Sequence, residues 1–333
     1  MFRLGLNTYC LRALKWHDLP LLEYAASLKL DAIFLQDSLD PRTADPAHWK
    51  EVKDAAARLG LFLETGGGAV LPATPDAFDH SVKLLRDGLK RSAGMGSPLM
   101  RIVIASDRDH LPSLPVEPHM ETMIRLLKTV RNEAMDAGVK FAIENHKDLT
   151  CWETRHVIEA AGKEFVGSYM DTGNPVFIME DPMQTVETLG PVAVMLHLRD
   201  SVVYETRKGI AVQWVPQGEG IIDFKAIVAK AKELCPEVPV YVKPITGRPP
   251  AILPVWDPAY MQRYSDIRAH DFARFLALAK SGHPYESAMV IEDVPGKAPE
   301  EYTAALRYQQ KDHMERGIEH AKKVLDLGIK WRA

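Results

Sequence analysis

The sequence predicts an α/β protein folded as a closed (β/α)8 TIM barrel with extra C-terminal helices, and three observations carry that expectation. Eight short apolar runs alternate with longer amphipathic stretches, polar residues end several of those runs, and no G-x-G-x-x-G follows the first. Alternation of this kind builds a parallel sheet from βα units. Eight units favour closure over an open dinucleotide-binding sheet, whose glycine fingerprint is missing.

Taken in order, the expected strands are Arg3–Asn7, Asp31–Gln36, Leu61–Thr65, Met100–Ala105, Lys140–Glu144, Gly167–Asp171, Val192–Arg199 and Val238–Lys243. Between them the 3.6-residue period predicts helices over Leu19–Leu28, Ala47–Leu59, Asp76–Ala93, Pro118–Ala137, Trp152–Ala161, Met183–Leu189 and Phe224–Leu234. The stretch Asp200–Gly220 is too long for a routine βα turn and is expected to be a functional loop or lid. After the eighth strand comes a Pro-rich irregular segment, ITGRPPAILPVWDP, then helical patterns around Asp266–Lys280 and Lys311–Leu327. A chain of 333 residues is therefore expected to be one domain, with the barrel over about 1–250 and a helical extension over about 251–333.

Composition narrows the function classes. The chain is 46% hydrophobic and 26% charged, which suits a soluble globule with a large core. With 41 basic and 45 acidic side chains, a formal charge of -4 and no long Lys/Arg block, nucleic acid is not an expected partner. Cys10, Cys151 and Cys235 match neither a disulfide framework nor a metal knuckle. No run approaches the roughly 18 apolar residues of a membrane span, and the N-terminus lacks a signal-type apolar stretch, so a cytoplasmic protein is expected. The surface of the extension is an expected place for a homo-oligomer contact.

In a βα barrel, the residues that end the strands form the active-site face. Here the fifth run ends in FAIENH, the sixth in SYMDTGNP, the seventh in VMLHLRD and the eighth in VYVKPITGRPP. Side chains alternate along a strand, so Glu144 and His146 share a face, as do His197 and Arg199, and Tyr241 and Lys243. Glu144, Asp171 and His197 are then expected to converge from adjacent strands. Two carboxylates and an imidazole suit a divalent metal, with Mn2+, Mg2+, Co2+ and Zn2+ all compatible. Each residue also has a plainer reading, as an edge charge, a turn cap or a core histidine.

Other expected contributors are His146 as an acid/base, since imidazole titrates near neutrality, and Glu64, Arg199 and Arg248 as contacts to substrate oxygens. Trp214, Tyr204 and Trp256 are candidates for stacking on a sugar ring. The GEG turn at 218–220 is expected to bring backbone near the site.

LGLNTYC, IEN, MDTGNP, HLRD and GEGIID, in this order over roughly Arg3–Arg248, together resemble the xylose-isomerase-like barrel superfamily of sugar isomerases and epimerases. The resemblance implies a metal-assisted proton or hydride shift beside a carbonyl, with Glu144, Asp171 and His197 matching three of the family's four metal ligands. One position departs from it. Where such epimerases carry a glutamate at the end of the eighth strand, this chain has Lys243, which cannot ligate while protonated. Lys243 is then expected either to act as a base or electrophile, or to pair with a carboxylate and weaken the metal site, or to leave the fourth ligand to another residue, for which Glu292 is the candidate.

The expected function is thus a metal-dependent isomerase or epimerase of a sugar or polyol. The alternative is a lyase or dehydratase acting on a keto-sugar, keto-inositol or 3-keto-glycoside, because proton abstraction beside a carbonyl uses the same parts. An endonuclease IV-like phosphodiesterase wants more histidines than DTGNP offers. A barrel without catalysis is the reading that Lys243 invites.

Overall fold

All eight expected apolar runs form strands in the computed structural model, which describes residues 2–37, 39–113, 115–286, 291–293 and 296–333. In chain order the strands are β1 Leu4–Asn7, β2 Ala32–Gln36, β3 Phe62–Ala69, β4 Leu99–Val103, β5 Lys140–Glu144, β6 Val166–Asp171, β7 Ala193–Leu198, β8 Asp200–Thr206, β9 Gly209–Val215, β10 Val240–Val242 and β11 Ala251–Leu253. Eight of them close a parallel barrel in the order β1-β10-β7-β6-β5-β4-β3-β2. Closure is made by β1, which pairs Leu4 with Val240 on one side and Gly5 with Ala32 on the other.

Period-2 alternation sends one set of side chains inward and the other against the helices. The barrel interior holds Phe34, Ala142, Tyr169, Met195 and Tyr241, all buried. Burying each large side chain there contributes roughly 1.5–3 kcal/mol. Outside, Leu6, Leu35, Ile102, Ile143 and Leu196 meet the helical layer in the larger core.

Helices occupy the intervals expected between the barrel strands, the fourth being broken at Val130 into Glu117–Thr129 and Arg131–Ala137, while the last helix, expected around Lys311–Leu327, starts earlier and spans Glu300–Lys323. Side-chain caps define several starts, including the reciprocal Thr150–Glu153 box before Cys151–Ala161.

The stretch expected to be a loop, Asp200–Gly220, is instead mostly the antiparallel hairpin β8–β9, with Asp200 opposite Val215 and Thr206 opposite Gly209. Part of the segment expected to be irregular forms β11, which adds to β9. Val203, Ile210 and Val212 of the hairpin pack with Leu253, Tyr264 and Phe275 in a separate apolar cluster. The burial of that cluster holds the hairpin as a sheet rather than a mobile lid. Helix Ala269–Ser281 lies against β8, and helix Glu300–Lys323 lies against β1 and β10. Among the described residues, no helix is long and apolar enough to cross a membrane.

Candidate active site

Local sequence explains how two arginines come to stand at the mouth of the barrel. A Cβ on Gly66 would fall 2.3 Å from the Cβ of Arg101, and one on Gly173 would fall 2.7 Å from the Cγ of Arg199. The TGGG and DTGN segments therefore leave room for guanidinium stems that any larger residue would displace. Arg101 then donates from Nε to Glu144 Oε2 at 2.7 Å and from Nη1 to the Gly67 carbonyl. Arg199 lies with Nη2 2.9 Å from Asp171 Oδ2 and donates from Nη1 to Asn174 Oδ1 at 3.0 Å.

Lys243 follows β10 and enters the same network. Its backbone N–H donates to the Leu198 carbonyl at 2.9 Å, which fixes the chain beside β7. The ammonium donates to Glu144 Oε1 at 2.8 Å and lies 3.0 Å from Asp171 Oδ2. Asn174 donates to the same Glu144 oxygen at 3.0 Å. Asp171 Oδ1 accepts from the backbone N–H groups of Gly173 and Asn174. Three cations thus surround two carboxylates, with Glu144, Asp171, Arg199 and Lys243 all at most 4% exposed.

His197 is held differently. Its ring stacks on Tyr241 with centroids 4.7 Å apart and meets Phe34 edge-on at 5.5 Å. Nδ1 lies 2.8 Å from the Tyr169 hydroxyl, which also accepts from Asn7, and Nε2 is buried without a partner. The structure therefore brings Glu144 and Asp171 together through Lys243 and Arg199, and it places His197 against the interior aromatic layer.

Electrostatics follow from burial and these neighbours. Burial raises the Glu144 carboxyl, but Arg101 and Lys243 more than offset it and hold the group well below the usual range, fully ionised. Lys243 is lowered, by burial first and by Arg199 next, against the opposing pull of Glu144 and Asp171. His197 is pushed well down, chiefly by burial and then by Lys243, and is neutral. Burial also lowers His146, to about 3, with Glu144 opposing and Arg101 adding to the shift. The His146 Nδ1 contacts the Ser106 carbonyl, an acceptor, so Nδ1 carries the proton and Nε2 keeps its lone pair.

Two adjoining cavities open over this network. The inner one, about 220 Å³, is lined by Asn7, Arg101, His146, Arg199, Lys243 and Ile245 among others. The outer, about 510 Å³, shares His146 and Arg199 and adds Lys147, Trp214 and Arg248. Trp214 donates its indole N–H to the Gly173 carbonyl at 2.9 Å, and the Arg199 guanidinium lies over its ring at 4.4 Å.

Several expected contributors lie elsewhere. Glu64 is not at the mouth: β3 runs five residues beyond it to Ala69, and its side chain is fully buried in the barrel interior beside Tyr241. Tyr204, Trp256 and Glu292 line neither cavity. The GEG turn serves Asp200 instead, whose carboxylate accepts from Gly218 at 2.8 Å and Gly220 at 3.0 Å. Asn7, Tyr9, Arg101 and Asn174 were not singled out from the sequence as site residues. The available signal for Arg101 was a lone arginine inside the apolar run LMRIV.

The donor set does not fit a divalent metal. Glu144 has both oxygens engaged by cations or amide and Asp171 has both engaged by N–H groups or cations, so that of the three residues only His197 keeps a free donor, the buried Nε2. A dication about 4 Å from the Lys243 ammonium would be repelled by roughly 8 kcal/mol at an effective dielectric of about 20. Among the described residues, the group spaced for a shared ion is a different one, Asp18, Asp40 and His48, with ligand atoms within 4.8 Å of one another. There His48 Nε2 already contacts Asp18 at 3.0 Å and Asp40 at 3.4 Å, and none of the three lines the cavities.

Comparison with known proteins agrees with the architecture. Over 234 residues the chain is 24% identical to 3-oxo-isoapionate decarboxylase of Pectobacterium atrosepticum, covering 67% of this chain and 78% of that protein. A stretch of 99 residues is 26% identical to the uncharacterized protein YihM of Escherichia coli, and it spans 30% of each chain. Among solved structures, a D-psicose 3-epimerase with D-fructose superposes with a TM-score of 0.65 at 15% identity, covering 97% of this chain and 99% of that one. The IolI protein with a bound zinc atom superposes with a TM-score of 0.60 at 14% identity, covering 83% and 96%. The sequence pattern of the xylose isomerase-like TIM barrels matches residues 22–237, more than half of the chain, and the protein belongs to that family.

Proposed function

We propose that this barrel is an enzyme of sugar-derived carbonyl compounds and that it decarboxylates a 3-oxo sugar acid. The observation that carries the reading is the excess of buried cation at the floor of the inner cavity, where Arg101, Arg199 and Lys243 face two carboxylates. A 3-oxo acid needs no base to lose CO2. The bond between its α-carbon and the carboxylate breaks, the electron pair forms an enolate, and the charge moves to the oxo oxygen. Preorganised donors beside that oxygen favour the charge where it develops. Lys243 is the donor proposed for this role, and the apolar lining of Ala69, Val103 and Ile245 suits the departing neutral CO2. The enolate carbon then takes a proton from solvent, so each turnover consumes one proton and releases one CO2. The decarboxylase relative, similar over two thirds of the chain, supports the same chemistry.

A second reading, isomerisation or epimerisation by proton transfer beside a carbonyl, is favoured by the unprotonated Nε2 of His146 at the cavity wall. It is the weaker of the two, because inversion needs a second acid/base group on the opposite face. Glu144, the obvious carboxylate, is ion-paired and a poor base.

A panel of 3-oxo sugar acids assayed for CO2, beside free ketoses followed by NMR in D2O, separates these readings. CO2 release is expected, and Lys243→Met should lower it by roughly 10²-fold or more. Deuterium exchange into ketoses without any CO2 release would replace the first reading by the second.

A further inference from the structure

We propose that the Lys243 ammonium is the resident cation of this barrel mouth, occupying the place where relatives of this fold would hold a divalent metal, and that Glu144, Asp171 and His197 bind none. The inference rests on the reading of the mouth as the reaction site. The ammonium lies 2.8 Å from Glu144 Oε1 and 3.0 Å from Asp171 Oδ2, the two oxygens that a shared ion would bridge. Most of the remaining donors are engaged as well, the buried His197 Nε2 being the exception. Glu144 Oε2 is held by Arg101 at 2.7 Å, Asp171 Oδ1 by the Gly173 N–H at 2.9 Å, and His197 Nδ1 by the Tyr169 hydroxyl at 2.8 Å. Arg199, 2.9 Å from Asp171, closes the remaining side. A metal would have to expel Lys243 from both carboxylates and leave a buried ammonium without a counterion, which is strongly unfavourable.

The substitution changes what the site can grip. A divalent ion chelates two neighbouring substrate oxygens at once, whereas an ammonium directs separate N–H donors and carries half the charge. The geometry therefore suits a substrate held at one oxo oxygen, with no requirement for an adjacent hydroxyl to complete a chelate.

The test is metal retention by the full chain. Wild type, Asp171→Asn, Glu144→Gln, Lys243→Glu and His48→Ala are each loaded with Mn2+ or Zn2+, desalted and assayed for bound metal, with thermal midpoints recorded with and without the ion. Wild type is expected to hold no more metal than Asp171→Asn and to show no ion-dependent midpoint shift that Asp171→Asn lacks, while Lys243→Glu gains about one equivalent. Metal in wild type that His48→Ala loses and Asp171→Asn keeps belongs to the Asp18–Asp40–His48 group and agrees with the proposal. Metal in wild type that Asp171→Asn or Glu144→Gln loses overturns it. Should either variant fail to fold, an ion-dependent rise of the wild-type midpoint that His48→Ala retains overturns it equally. None of these measurements uses a substrate, so their outcome is separate from the decarboxylation assay.

Discussion

Glu64 is an acid kept neutral by its surroundings. Burial lifts its carboxyl to about 8, against smaller opposing effects from Tyr241 and Arg3, and neither oxygen has a well-aligned hydrogen-bond partner. The folded chain thus holds this proton more tightly than the unfolded chain, where the ordinary value is 4.5. The stability this adds is complete below the unfolded value and is lost as pH rises towards about 8. Glu64→Gln, which cannot ionise, should gain on wild type across that window in urea titrations. A wild-type-to-variant difference that stays flat with pH would show that Glu64 is not buried as a neutral acid. The sequence places Glu64 at the mouth because LFLET is followed by three glycines that suggest a turn, whereas in the structure those glycines continue the strand to Ala69. Arg101 was missed for a related reason: period-2 alternation assigns it a face but does not reveal that Gly66 has vacated the space its stem needs.

At the scale of elements, Asp200 does for the β8–β9 hairpin what a cap does for a helix. Its two oxygens collect the N–H groups of Ser201, Gly218, Gly220 and Ile222, tying the start of the hairpin to the chain that leaves it. Asp200→Ala strips those donors of their acceptor and should cost about 2–4 kcal/mol. Faster amide exchange over 218–222 should accompany the loss, and protection equal to wild type would refute the assignment. The barrel strands were legible because each is a short apolar run with a turn signal on either side. The hairpin was not, since its turn residues, Arg207 and Lys208, are neither Asn nor Gly, and the turn is closed by the Thr206 hydroxyl donating to the Gly209 carbonyl. Strand alternation did put Lys243 on the mouth side. What it could not give is the three-cation arrangement, which depends on contacts between β4, β7 and the residues after β10 that no single stretch of sequence contains.

The molecule as a whole is closed by its most distant segments in sequence, since β10 enters between β1 and β7. That closure also assembles the mouth. Glu144, Asp171, Arg101 and Arg199 all precede the exposed turn at Arg207–Lys208, and Lys243 follows it. A tryptic cut at that turn would therefore divide the chain into a larger piece with seven of the barrel strands, the carboxylates and two of their cations, and a smaller piece carrying the third cation, Lys243. Such halves are natural candidates for complementation. Expressed separately and mixed, they should co-elute as a complex of intact size, and Lys243→Met in the smaller piece should weaken their association. Unchanged affinity would mean that strand pairing alone reunites them. In that sense the ion cluster is also a fastener, an internal recognition code by which one part of the chain identifies the other.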